Sequence, residues 1–393
     1  MPKEEDITLA GQIMLDFAGS TGLAEQARHA PRRYLWTDAF AVCNFLELYR
    51  GSRDESWLEL AKRLVDQVHH VLGRHRTDAG RTGWISGLRE EDGELHPTRG
   101  GLRIGKKIRE RAQDEPADER LEWERDGQYY HYLTKWMHAL GRMARITGDR
   151  AYLRFAMELA QTAHATFCYP STSDGTLAVH WKMSVDLSRP LVRFAGQHDP
   201  LDGLLTYIGL HTAAKEFGEE GFPELWREIT ELAAICRGKT WVTDDALGVG
   251  GLLWDINRIE QLVVEGAFKN LRLYQQVVGD GLLSLQSIGE GFLDYPTRYR
   301  LAFRELGLSI GLKGVARVAR LVEEYSEQHD REFLSWLQPR VAGLAVQLPL
   351  SAGIERFWLR ERKKGTEQWK EHGDINMVML ATSLAPEQFL TTV

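Results

Sequence analysis

Six places along the chain combine an aromatic ring or a histidine with a nearby aspartate. They are Trp36 with Asp38, Trp123 with Asp126, His198 with Asp199 and Asp202, Trp254 with Asp255, Asp294 with Tyr295, Arg298 and Arg300, and His372 with Asp374. Two carboxyl groups flanking a bond can do acid–base work, one protonated as general acid and one ionised as base or nucleophile. Histidine, which titrates near neutral pH, suits proton transfer beside a carbonyl. The catalytic candidates are therefore Asp126, Asp199, Asp202, Asp255, His198 and His372. Candidates for holding a substrate are Trp36, Asp38, Trp123, Tyr129, His131, Trp254, Asp294, Arg298 and Asp374. The stretch HDPLDG draws most interest, because it sets Asp199 and Asp202 beside His198 just ahead of a helix. His131 and His138 lie seven residues apart, so two helical turns put them on one face. His138, among Trp136, Met137 and Leu140, fits a hydrogen-bonded core histidine as well as a functional one. Every aspartate also has a plain structural use, since its carboxylate caps helix N-termini and complements the helix dipole.

Helices must position these residues. In ESWLELAKRLVDQVHHVL (Glu55 to Leu72) apolar residues recur at spacings of three and four, which makes one buried face. AYLRFAMELAQTAHATF, PELWREITELAAIC and GVARVARLVEEYSEQ behave alike and read as outer, half-exposed helices. Six segments are apolar around more of their circumference and read as inner helices. They begin at Asp38, Gly127, Asp202, Asp255, Tyr299 and Asp374. The joints share one form: an inner helix ends, Gly51, Gly148 or Gly218 supplies the turn, acidic residues follow, and an outer helix begins.

The pattern predicts an all-α fold, an (α/α)6 toroid of alternating inner and outer helices, forming a single domain over residues 1–393. Two insertions, near 75–125 and 172–200, break the rhythm. Loops this long are uncommon unless functional or disordered. The second has alternating pieces that predict a small β-hairpin, pairing LAVHW with DLSRPLVRF. Both insertions precede inner helices, which places them at a cavity mouth.

At its RITGDRAYLRFA-type joints, and loosely from Asp38 to Ala385, the chain resembles the six-hairpin, or (α/α)6-barrel, superfamily of glycosidases and sugar epimerases. No specific family's active-site motif is matched, so no catalytic residue is carried over. The resemblance implies a carbohydrate-active enzyme acting on a small-molecule or oligosaccharide substrate. In such a ring the inner-helix starts converge on one opening, where aromatic faces could stack on sugars and carboxylates could bind hydroxyls. Glycoside hydrolysis by two carboxylates is the leading expectation. Sugar 2-epimerisation or isomerisation by paired histidines is the alternative, and a non-catalytic toroid binding a glycan, peptide or protein is the third.

Composition sets the boundaries. A net charge of −7 argues against a nucleic-acid partner. No apolar run reaches the length of a membrane span, so no membrane association is expected. The start MPKEEDITLAGQ shows no secretory signal, and a cytoplasmic location is expected. Cys43, Cys168 and Cys236 lack zinc-ligand spacing, and HExxH, GxSxG and GxGxxG are absent. No metal and no cofactor are expected.

Overall fold

The computed structural model describes residues 3–25, 30–171, 175–192, 196–289 and 291–392. Its internal contacts divide it into two compact units. One is Ala18–Arg237, and the other joins Met1–Phe17 to Gly238–Val393. The chain opens with helix α1 (Glu4–Ser20).

The unit Ala18–Arg237 is built from three helical hairpins. The first pairs α2 (Leu35–Ser52) with α3 (Glu55–Leu72). The insertion that follows carries two short helices, α4 (Glu90–Leu95) and α5 (Glu119–Glu124). The second hairpin is α6 (Tyr130–Thr147) with α7 (Arg150–Phe167), and the third is α8 (Asp199–Glu216) with α9 (Trp226–Ile235). α2 and α8 are buried along most of their length, whereas α3 buries only the face bearing Leu58, Ala61, Leu64, Val65, Val68 and Leu72. The inner and outer characters read from the sequence follow from these two burial patterns.

The joints differ in detail from expectation. Gly51 lies inside α2, and Arg53 takes the left-handed turn at φ 60°, donating its N–H to the Tyr49 carbonyl at 2.7 Å. Gly148 and Gly218 do supply positive φ. The acidic residues of the first two joints cap the outer helices: Asp54 accepts from the Ser56 N–H and Asp149 from the Ala151 N–H, each at 2.9 Å.

Among the described residues four short strands form two antiparallel pairs. β1 (Gln128–Tyr129) pairs with β4 (Lys182–Met183), and β2 (Cys168–Pro170) pairs with β3 (Leu177–Val179). The expected pairing of LAVHW with DLSRPLVRF is thus corrected. Its first half turns back on the end of α7, and the residues after Trp181 pair with the entry to α6. Part of DLSRPLVRF, at 193–194, lies outside the described residues. Gly127 precedes β1 at φ 146°, and a side chain there would collide with the Met183 carbonyl. The β1–β4 pair therefore sets how α6 begins.

The second unit contains α10 (Ala246–Val264), α11 (Leu271–Ser287), α12 (Ala302–Glu324) and α13 (Arg331–Ala345). It continues with α14 (Leu348–Lys364), α15 (Glu367–Lys370), α16 (Gly373–Leu384) and α17 (Glu387–Leu390). Two boundaries differ from the sequence reading. The fourth inner helix starts at Ala246, with Asp245 as its cap, not near Asp255. The segments assigned to a fifth inner helix and to an outer helix at Gly314–Gln328 mostly form one continuous helix, α12. Gly311 and Gly314 do not break it. A Cβ on Gly311 would run into the backbone of Gly250, and one on Gly250 into that of Gly307. These glycines let α10 and α12 pack backbone against backbone.

Candidate functional site

The polar residues singled out by the sequence fall into three groups: those consumed by the fold, those in the second unit, and a remainder on an aromatic wall. Asp126 is consumed. It is fully buried, accepts from Arg103 Nη1 at 2.6 Å and from the backbone N–H groups of Gly105 at 3.0 Å and Lys106 at 3.3 Å, and lies 3.6 Å from Arg76. It does not cap the second inner helix, whose N-cap position is held by Tyr129. Asp126 instead pins the loop at 103–106. Asp202 is also engaged, accepting from Thr134 Oγ1 at 2.5 Å and Lys135 Nζ at 2.7 Å, which ties α8 to α6. It lies inside the first turn of α8 and is not its cap. Asp38 accepts from the Tyr34 N–H at 2.9 Å and from Arg33 at 3.4 Å, closing the start of α2.

In the unit with Gly238–Val393, Trp254 and Asp255 lie in the middle of α10 rather than ahead of it. Asp255 is 3.1 Å from Arg258, whose guanidinium covers the Trp254 ring at 4.3 Å, and Trp254 stacks on Phe389. Asp294 ends an exposed 3-10 turn, and Arg298 lies over the exposed Tyr299 ring. His372 holds the N-cap position of α16, edge-on to Phe303, and Asp374 is in the first turn. All of these were expected at inner-helix starts. Asp255 and Trp254 miss that position because α10 begins nine residues ahead of Asp255.

The remainder converges in the unit Ala18–Arg237. Trp123, half exposed on α5, meets Trp181 at 4.6 Å between ring centroids. Trp181 meets Tyr129 at 4.6 Å and lies nearly parallel to His131 at 6.1 Å. Tyr132 packs edge-on to both Tyr129 and His131, shares a 2.7 Å hydroxyl contact with Tyr34, and approaches Trp36. Such pairs are worth roughly 0.5–1.5 kcal/mol each beyond their buried area. The wall is held because β1 delivers Tyr129 and the first turn of α6 delivers His131 and Tyr132, while Trp181 immediately precedes β4. Lys182, in β4, is completely buried and donates to the carbonyls of Glu122 and Arg125, clamping the segment that carries Trp123. Burial holds its amine down at about 8, against the pull of Glu122. Burial likewise pushes the phenols of Tyr34, Tyr129 and Tyr132 above their ordinary value.

Three groups on this wall each have a buried polar atom with no hydrogen-bond partner among the described residues. Asp199, the first residue of α8, is 6% exposed, and its Oδ2 has no hydrogen-bond partner among the described residues. His131 Nδ1 likewise makes no hydrogen bond with a described residue and stands 3.7 Å from Asp199 Oδ1. The Tyr129 hydroxyl is a third buried atom without a partner. Buried polar atoms are nearly always satisfied, so three orphans on one wall mark where another molecule could bind. His198, just ahead, holds the N-cap position of α8, and its carbonyl accepts from the Asp202 N–H. Tyr34, Lys106, Tyr132, Trp181 and Lys182 were not singled out from the sequence. For Tyr132 the signal was present in the run YYHY; Trp181 became part of the wall only through the β1–β4 pairing.

Similar structures exist. A GH76 α-mannanase from Bacteroides thetaiotaomicron superposes with a TM-score of 0.50 over 98% of this chain and 97% of that one, at 9% identity. A cellobiose 2-epimerase from Spirochaeta thermophila gives 0.46 over 88% and 98% of the two chains, at 13% identity. A sugar epimerase from a ruminal bacterium gives 0.44 over 85% of each, at 12% identity. No protein-family model matches the sequence, and no curated protein does. The mannanase likeness, spanning nearly the whole of both chains, gives this chain an all-α fold of the (α/α)6 type. Among the described residues no helix is long and apolar enough to cross a membrane.

Proposed function

We propose that the chain is a carbohydrate-active enzyme whose sugar lies against the Trp123–Trp181–Tyr129 wall. The observation that carries this reading is the pair of buried, unpartnered atoms on His131 and Asp199, set against aromatic faces. Aromatic rings stack on the C–H faces of sugars, and the orphan Tyr129 hydroxyl offers a hydrogen bond to a hydroxyl of the ring. A histidine beside a carboxylate suits proton transfer at a carbon next to a carbonyl, the chemistry of sugar epimerisation or isomerisation. In this reading His131 takes and returns the proton, and Asp199 orients the imidazole and stabilises its charged form. Of the candidate histidines His131, His138, His198 and His372, this reading uses His131, with a carboxylate in place of a second histidine.

One observation favours glycoside hydrolysis as a second reading. Glu124 is exposed beside Trp123, and its charge acts on Tyr34, Lys106 and Tyr129. It could supply the second carboxyl group that hydrolysis needs, with Asp199 as the first. The test is turnover of a panel of reducing monosaccharides, disaccharides and oligosaccharides, reading epimerised products and released reducing ends separately. Asp199→Asn and His131→Gln should each lower turnover about 10²–10⁴-fold while the fold is kept. Full turnover in both variants would remove the pair from the chemistry. Sugar binding without any turnover by the parent protein would leave a binding module in place of an enzyme.

A further inference from the structure

One cation on the wall is not used by the fold. Lys106 is half-buried, its Nζ is 5.5 Å from the centroid of the Tyr129 ring, and its amine makes no hydrogen bond or ion pair with a described residue. Its neighbours are committed elsewhere: Arg103 to Asp126, Arg111 to Glu122, and Lys182 to two carbonyls. Burial lowers the Lys106 amine below its ordinary range, and the charges of Glu124 and Asp126 partly offset that.

The backbone of Lys106 is fixed from both sides. Its N–H donates to Asp126 Oδ1 at 3.3 Å, and its carbonyl accepts from Arg76 Nη1 at 2.6 Å. A buried carboxylate and an arginine thus place a residue whose ammonium has no hydrogen-bonded or ion-paired partner among the described residues, the nearby charges of Glu124 and Asp126 acting on it only without contact. A partly desolvated ammonium with no anion in contact is costly, and an anionic group arriving from solution and touching it would relieve that cost. The orphan Tyr129 hydroxyl, on the ring that this amine faces, is an independent sign of a missing ligand.

We propose that this site takes an anionic sugar, with a carboxylate or phosphate group seated on the Lys106 ammonium beside the Tyr129 ring. The proposal rests on the reading of the aromatic wall as a sugar platform and adds the charge of the substrate. Lysine binds such groups as a point charge, so either a sugar acid or a sugar phosphate satisfies it.

The test follows tryptophan fluorescence of the full chain, with Trp123 and Trp181 as reporters, during titration with glucuronate, glucose 6-phosphate, glucose and inorganic phosphate. At least one anionic sugar should bind about tenfold tighter than glucose, or ~1.4 kcal/mol, and this advantage should shrink with added salt. Lys106→Met should bring the anionic sugar level with glucose, and Lys106→Arg should keep most of the preference. Glucuronate alone showing the advantage points to a sugar acid, and glucose 6-phosphate alone to a sugar phosphate. Glucose binding as tightly as both would overturn the proposal and leave the platform standing. Inorganic phosphate binding as tightly as the sugar phosphate would also overturn it, since the sugar would then contribute nothing. No response to any sugar would overturn the platform itself.

Discussion

Buried carboxylates occur in both units, and they are treated differently. In the unit with Gly238–Val393, Glu305 accepts from Arg300 through both oxygens, at 2.7 and 2.6 Å, and also from Trp358 Nε1 at 2.8 Å. Glu260 in the same unit accepts from Tyr274 at 2.9 Å and lies 3.0 Å from His329 Nε2. Asp199, in the other unit, is almost as buried and leaves one oxygen unmatched. Burying a charge is costly, and fully bonded pairs recover that cost through architecture. Glu122 and Glu158 also leave one buried oxygen bare, but each binds an arginine or a histidine within 3.2 Å through the other. Asp199 has His131 at 3.7 Å in their place, and this weaker pairing separates the candidate site from the framework.

The sharpest way to break that comparison is to remove one carboxylate of each kind. Asp126→Ala and Glu305→Ala each strand a buried arginine, and breaking such a pair costs about 3–5 kcal/mol. Asp199→Ala should cost less than ~1 kcal/mol, mainly the loss of a negative charge at the start of α8. Denaturant unfolding of the three variants measures this directly. Equal losses at Asp126 and Asp199 would mean that Asp199 is another structural acid.

A smaller effect tests the framework side alone. Gly311→Ala places a methyl group against the Gly250 backbone, where neither helix has a flexible side chain to yield. Overpacking of this kind costs about 1–3 kcal/mol. Gly279, on α11, has nothing within 4 Å of the place a Cβ would take. It should accept alanine with no loss, or with a gain from better helix propensity. A Gly311→Ala protein as stable as the parent would show that the α10–α12 contact is not tight.

The same contrast explains what could be read from the sequence. The hairpin rhythm was legible because burial imposes a 3.6-residue period on outer helices and removes it from inner ones. Caps such as Asp54 and Asp149 were legible because they act over two residues. The start of α10 lies ahead of the expected Asp255 because Gly248, Gly250 and Gly251 weaken a helical pattern in the sequence, and the packing of Gly250 against α12 is visible only in the fold. Asp126, Asp199 and Asp202 looked equivalent as letters. Only the partners supplied by Arg103, Thr134 and Lys135, from other parts of the chain, make the first and third structural and leave Asp199 apart.

Two histidines carry the comparison to its smallest effect. His131 is partly open beside Asp199, whereas His69 is buried on α3, accepts from Trp136 Nε1 at 3.2 Å, and meets the edge of Phe155. Burial holds the His69 imidazole down at about 3, with a further push from His70, so it is neutral in the folded chain at ordinary pH. An unfolded histidine titrates near 6.5. Above that pH both states are neutral and His69 contributes no pH dependence. Below it the unfolded chain takes a proton that the folded chain refuses, and stability falls by about 1.4 kcal/mol per pH unit until the folded value is reached. Carboxylates held low by their partners, such as Asp78 and Glu115, add their own loss at the acid end. The useful measurement is therefore a difference: unfolding free energy of the parent and of His69→Phe between pH 6.5 and 5, before those carboxylates titrate. The variant starts lower, because Trp136 loses its acceptor, but its stability should decline less steeply by up to one proton's worth. Parallel slopes would mean that His69 is protonated within the fold and that its surroundings are not the dry interior described.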